Sequence, residues 1–296
     1  MRIDAARPMA AWVAVLATPD GPLLAPHGDG GTRLFDARTK AARGTWPALA
    51  RAAASLPGRT LLLAAGVAGP RRFDLAAGAE LPPVADRAEV WDVAVAPLPD
   101  GRVVLAGAGP GGLHRWDAAT GARLGRPPLL GPPLRAVVPA LRPGGVTLIG
   151  GGEDGTLYRA DAAAGEPLRP PQPTAAPALQ GLALAPTGRE MLVGCDWDGS
   201  VHRWDPHTGD VIGEPIPVPA PARLAGCFAG RFDRPCALLL TAGDRYDAAV
   251  AVDLERGERV AVPARTRAVF SLDGVTLAVL VHPGGQLTAE PLYGPA

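Results

Sequence analysis

The stretch Val201 to Ile216 reads VHRWDPHTGDVIGEPI, and nearly the same phrase, LHRWDAATGARLGRPP, runs from Leu113 to Pro128. Each copy places an Asp four residues before a Gly, directly after a short apolar strand. A carboxylate at that place accepts hydrogen bonds from the backbone N–H groups just ahead of it, and Gly takes the positive φ that sends the chain back as the next strand. The predicted unit is a tight hairpin between two strands of one sheet.

The same turn recurs along the chain. It reads FDLAAG at Asp74, WDAATG at Asp117, ADAAAG at Asp161, WDPHTG at Asp205 and VDLERG at Asp253, framed by weaker copies, FDARTK at Asp36 and AEPLYG at Glu290. Successive acidic residues lie 38, 43, 44, 44, 48 and 37 residues apart, and a period of ~40–45 is that of a four-stranded propeller blade. Lys40 stands where the first copy would have Gly, so a slight strain is expected there. Upstream of the turns an apolar strand, a Pro/Asp/Gly-type turn, a second apolar strand and a Gly/Asp-rich turn repeat. They are read in VWDVAVAPLPDGRVVLAGAGPGGLHRWD (Val90 to Asp117), LRAVVPALRPGGVTLIGGGEDGTLYRAD (from Leu134) and LQGLALAPTGREMLVGCDWDGSVHRWD (from Leu179).

These units resemble the WD40-repeat family, most closely where EDGTLYRAD and DWDGSVHRWD follow the family's turn between second and third strands. The resemblance spans essentially the whole chain and implies one domain over residues 1–296, an all-β, seven-bladed propeller of four-stranded antiparallel blades. One feature departs from the family: no Gly-His dipeptide precedes the first strand of any unit. The hydrogen-bonded tetrad that Gly-His often completes is expected to be missing, leaving the sheets to lean on apolar packing. The last turn ends at Gly294, leaving the seventh blade without an outer strand; MRIDA at the N-terminus has the length to pair there and cover the edge.

That assignment also decides the N-terminal apolar run. AWVAVLATPDG follows basic residues as a signal peptide would, but it occupies the first strand and turn of blade one. No stretch approaches the ~20 apolar residues of a membrane helix. Hydrophobic residues make up 47% of the chain, enough for a large core, and 38 Gly with 34 Pro, spread along it, mark many turns between short elements. Twenty-nine basic and 29 acidic residues cancel, so no global field draws the chain to nucleic acid or an anionic membrane. Lys40 is the sole lysine beside 28 arginines, a composition of GC-rich bacterial genes. Cys195, Cys227 and Cys236 form no C-x-x-C and cannot all pair, the pattern of buried thiols in a reducing cytoplasm; Cys227 and Cys236 flank a predicted hairpin.

In the propeller the Asp-x-x-x-Gly turns share one face, while the blade connections and the turns between second and third strands share the other. The family resemblance implies that the second face binds partners. Residues mapping there are Trp91, Arg135 and Gln180 at the starts of first strands and Trp197, Arg245 and Tyr246 in the turns. Trp, Tyr and Arg bury large areas while keeping a polar handle. Packing between blades competes for Trp91, whereas Trp197 sits between Asp196 and Asp198 in a polar turn. Trp116, Trp204, Phe35 and Phe73 recur at one repeat position and are assigned to packing. His114 and His202, with Tyr158, are likewise equivalent, which argues against a metal pair; His27, His207 and His282 fall in predicted turns without partners at metal-ligand spacing. The longest interval, 48 residues, holds AGRFDRPC (Ala229 to Cys236) in blade six, a tolerated loop with Phe232 as a secondary contact.

No enzymatic signature is found. G-x-S-x-G, H-E-x-x-H and a phosphate-binding loop are absent, and GAGPGG at Gly107 leads into a strand, not the helix that would hold an anion. The expectation is a cytoplasmic, monomeric, non-catalytic scaffold that binds protein partners, without catalytic residues, metal or cofactor. The alternative is an enzyme or small-molecule binder with its site at the central channel.

Overall fold

The computed structural model describes residues 2–3, 13–28, 31–126, 132–186, 190–241, 248–282 and 286–293. After β1 (Arg2–Ile3), sheet 1 comprises β2 (Val13–Leu16), β3 (Leu23–Gly28), β4 (Gly31–Asp36) and β5 (Ala42–Trp46). Sheet 2 follows with β6 (Ala50–Leu56), β7 (Arg59–Ala64), β8 (Arg71–Asp74) and β9 (Ala79–Glu80). In sheet 3 stand β10 (Asp92–Pro97), β11 (Val103–Gly109) and β12 (Gly112–Asp117); its expected fourth segment runs into residues 127–131, outside the described residues. Sheet 4 holds β13 (Leu134–Arg142), β14 (Gly145–Gly152), β15 (Thr156–Asp161) and β16 (Gln172–Pro173), and sheet 5 holds β17 (Leu179–Leu184), β18 (Leu192–Asp196), β19 (Ser200–Trp204) and β20 (Ile216–Pro217). Sheet 6 is β21 (Ala222–Ala229), β22 (Pro235–Thr241), β23 (Ala248–Asp253) and β24 (Arg259–Val260). Sheet 7 is β25 (Thr266–Leu272), β26 (Val275–Val281) and β27 (Leu287–Pro291), and β1 joins it antiparallel to β27, with Arg2 opposite Thr288 and Ile3 opposite Leu287. The chain is a seven-bladed β-propeller whose last blade the N-terminal strand completes.

Burial follows strand position. Second strands are covered on both faces, so β11, β14 and β22 read as near-continuous apolar or Gly runs, buried almost throughout. The two-residue fourth strands are mostly uncovered. Two compact units divide the chain: the first is residues 1–47, 183–205 and 210–296, and the second is residues 48–182 with 206–209. In the second unit, Leu61, Leu63, Leu105 and Trp116 form one core between sheets 2 and 3, and Val104, Leu113, Val137 and Leu148 form another between sheets 3 and 4. In the first unit, Val193, Val201, Leu239 and Val252 fill the space between sheets 5 and 6, and Leu24, Phe35, Phe270 and Leu287 that between sheets 7 and 1.

The recurrent turns have the chemistry their sequence predicts. Asp74 Oδ1 accepts the N–H groups of Ala76 and Ala77 at 3.0 Å, and Asp161 Oδ1 accepts those of Ala163 and Ala164 at 2.9 and 2.7 Å. The turn closes with Gly165 N–H to Asp161 O at 2.8 Å, Gly165 having φ +81°. Lys40 takes the same left-handed conformation at φ +66°. At Asp36 the N–H of Thr39 and the Arg43 guanidinium hold the carboxyl down to about 2.

Apolar packing is not the whole account of how sheets hold together. In sheets 2 to 5 the residue before the third-strand aromatic position is an arginine, and each guanidinium donates to carbonyls of the next sheet's Asp-x-x-x-Gly turn. Arg72 Nη1 reaches Ala118 O and Ala119 O, both at 3.0 Å. Arg115 donates to Ala162 O and Ala163 O at 2.8 Å and, through Nη2, to Ala164 O and Leu124 O at 2.9 Å. Arg159 Nε donates to Pro206 O at 3.1 Å, and Arg203 donates to Leu254 O and Glu214 O. A helical turn leaves such carbonyls without partners, and burial makes that costly. Gly165 therefore serves twice, since a Cβ there would overlap the Arg115 guanidinium.

Candidate partner-binding surface

Three first strands, β6, β13 and β25, begin with a residue re-aimed by a bulge. Arg135 is the extra residue between the pairs Leu134–Gly152 and Ala136–Gly151, and Arg51 occupies the same place between Ala50–Ala64 and Ala52–Leu63. A bulge bends the strand and redirects the extra side chain. Within the second unit this brings two of the sequence-predicted residues together: the Arg135 guanidinium lies 4.2 Å from the centre of the Trp91 ring. Trp91 Nε1 donates to Glu89 Oε1 at 2.8 Å, and Arg135 pairs with Glu153. The result is a partly exposed ladder of acid, indole, guanidinium and acid. Cation–π contact of this kind is worth ~0.5–1 kcal/mol at exposed sites. Its larger effect is to hold both side chains in one arrangement. Gln180, at the equivalent position of β17, is half-buried, and its Nε2 finds no hydrogen-bond partner among the described residues.

In the first unit Trp197 stands at the β18–β19 turn with 50% of its surface exposed. The turn beneath it is anchored. Asp196 Oδ1 accepts the Ser200 N–H at 2.9 Å, and its Oδ2 lies 2.6 Å from His202 Nε2. His202 in turn stacks on Trp204, ring centres 5.7 Å apart and planes 11° off parallel. Both partners of this hydrogen bond are buried, so an exposed indole is mounted on a fixed base. Arg245 and Tyr246 lie outside the described residues.

Other predicted positions resolve differently. Trp116 and Trp204 are buried in the cores, as expected of a repeated packing residue. His27 is not in a turn: it belongs to β3, buried, with Nδ1 2.9 Å from Thr32 Oγ1, because Gly28 and Gly31 form the hairpin end themselves. Cys227 and Cys236 do sit on one hairpin, but Cys227 faces Ala237 and Cys236 faces Phe228. One step of register points them to opposite faces, and all three cysteines are free thiols. Phe232, on a single 3-10 turn with φ +59°, is 83% exposed. Arg51, Arg223 and Arg267, which follow the first buried residue of their strands, escaped the sequence reading. Aligning LARAAA, PLRAVV, PARLAG and RTRAVF exposes them.

Among the described residues no group of His, Cys, Asp and Glu could hold a metal ion, and no helix is long and apolar enough to cross a membrane. No family model and no curated protein matches the chain. Among solved structures it is similar to the computationally designed Ika8 protein, with a TM-score of 0.60 and 16% identity, over 91% of this chain and 80% of that one. At that identity the likeness concerns the fold alone.

Proposed function

We propose that this protein is a non-catalytic interaction scaffold of the WD40-like kind, a monomer of the bacterial cytoplasm that offers preformed aromatic and arginine anchors to a protein partner. The observation that carries the reading is Trp197, a half-exposed indole on a turn locked by the buried Asp196–His202 pair. Large apolar side chains already fixed in place lose little freedom on binding, which is what distinguishes a binding anchor from an ordinary surface residue. The Trp91–Arg135 ladder supports the reading in the same way. Arg245 and Tyr246 are assigned to the same role on sequence grounds.

Affinity capture from the source organism, comparing the natural protein with a Trp197→Ala/Arg135→Ala/Tyr246→Ala variant, tests this. A stoichiometric protein should be recovered, and after purification it should bind the natural protein at least ~30-fold tighter than the variant, the ~2 kcal/mol of a hot spot. Equal binding by both forms contradicts the reading. Recovery of a metabolite or a turnover activity in place of a protein supports a small-molecule site instead.

A further inference from the structure

The β18–β19 turn of sheet 5 and the β14–β15 turn of sheet 4 use their carboxylates differently. EDGTLY (Glu153 to Tyr158) aligns with WDGSVH (Trp197 to His202), so Trp197 stands where sheet 4 has Glu153, and Asp198 where it has Asp154. In sheet 4 Asp154 serves the fold: its Oδ1 accepts the Thr156 N–H at 3.0 Å and its Oδ2 the Tyr158 hydroxyl at 3.3 Å. In sheet 5 both tasks pass to Asp196, which accepts the Ser200 N–H at 2.9 Å and meets His202 at 2.6 Å. Asp198 is left exposed, and among the described residues no hydrogen bond or ion pair reaches it. The turn is anchored without it, because Gly199 O also accepts the Val218 N–H at 2.7 Å. A carboxylate with no part in the fold thus adjoins, in the chain, an indole with 50% of its surface exposed.

The two side chains select their guest. An apolar group covering a carboxylate strips its hydration and offers nothing in return, whereas a cation replaces the lost water. An indole face attracts cations through its ring quadrupole, and a planar guanidinium can stack there while its edge N–H groups donate to a carboxylate. The second unit shows that combination formed: the Arg135 guanidinium lies 4.2 Å from the centre of the Trp91 ring and pairs with Glu153. Sheet 5 has Gln180 at the position of Arg135, and among the described residues no cation stacks on Trp197.

We propose that Trp197 and Asp198 together receive an arginine side chain of the partner protein, its guanidinium stacked on the indole and donating to the carboxylate. This rests on the reading of Trp197 as a partner anchor and adds the chemistry of what it anchors.

The probes are a capped Gly-Arg-Gly peptide and its lysine and citrulline counterparts, citrulline keeping the shape of arginine without the charge. At low ionic strength the arginine peptide should move the Trp197 indole N–H and Asp198 amide resonances saturably, and the other two should bind at least ~3-fold more weakly. Asp198→Asn, which breaks no hydrogen bond of the fold, should weaken the arginine peptide ~3-fold or more, and so should Trp197→Ala, read at the Asp198 amide. An arginine peptide that moves neither resonance overturns the proposal. So does lysine or citrulline binding as well as arginine, or full affinity in folded Asp198→Asn. The partner reading fails separately: no captured protein, with the arginine peptide still bound, supports the guanidinium site and contradicts the scaffold. A captured protein weakened by Trp197→Ala but not by Asp198→Asn keeps the anchor and overturns the arginine.

Discussion

The same four residues, His-Arg-Trp-Asp, occur at 114–117 on β12 and at 202–205 across the end of β19, and their surroundings give them different work. Both histidines stack on the following Trp with ring centres 5.7 Å apart. His202 then meets Asp196 at 2.6 Å, whereas His114 is 7% exposed with neither ring nitrogen bonded among the described residues. Burial accordingly holds the His114 pKa below its ordinary value. The difference traces to the turn before each strand. DWDG supplies a carboxylate and an indole, while GPGG supplies neither. Sheet 4 stands between the two cases, with Tyr158 Oη donating to Asp154 at 3.3 Å. What the comparison teaches is that stacking comes with the His-x-Trp pairing itself, whereas a carboxylate for the histidine comes only from the turn that displays Trp197.

The arginines of the two copies differ in degree, and that difference gives the largest predicted effect. Arg115→Ala deprives four carbonyls of a buried donor and should cost about 3 kcal/mol or more, with Arg203→Ala costing less because it serves two. Denaturant unfolding of both variants measures this; equal small losses would mean that water replaces the guanidinium. Asp196→Ala should cost about 2 kcal/mol, by leaving His202 and the Ser200 N–H without their acceptor. The same change at Asp198, in the turn but outside that pair, should cost far less.

The pH response separates the copies further. Since the folded-state pKa of His114 is depressed, the unfolded chain binds its proton first. Stability attributable to His114 is thus fully present above about 6.5, the ordinary histidine value, and falls as pH drops from there toward the lowered folded value. His114→Phe should flatten that slope between neutral and mildly acidic pH; an unchanged slope would assign it to other groups. Smallest of all is Trp197→Ala. An exposed indole contributes little to folding, so its loss should shift stability by no more than ~0.5 kcal/mol while weakening the binding proposed for it.

The sheets, the turns and the closing strand were legible because each depends on local chemistry that repeats. An Asp four residues before Gly can be seen without knowing what lies across the sheet, and the missing outer strand of blade seven points to the N-terminus that β1 supplies. The arginine links were not legible. Arg72, Arg115, Arg159 and Arg203 look like solvent-facing charges on alternating strands, and their acceptors are backbone carbonyls 46 to 51 residues away with no side-chain signature. The expectation that the sheets lean on apolar packing was therefore incomplete. Of the candidate surface, the exposure of Trp197 could be inferred from its acidic neighbours. Its anchoring could not, because Asp196 reads as a turn former until its other oxygen is found on His202. The Trp91–Arg135 stack depends on a bulge, which residue spacing does not announce.

A neighbouring carboxylate, and not the repeat itself, decides whether a third-strand histidine supports the fold. Parallel thermal unfolding of His114→Leu and His202→Leu at neutral pH tests it most directly. Removing an imidazole whose nitrogens have no partners should raise the melting temperature by the equivalent of about 1 kcal/mol, whereas removing His202 strands Asp196 and should lower it by a comparable or larger amount. Shifts of the same sign in the two variants would contradict the claim.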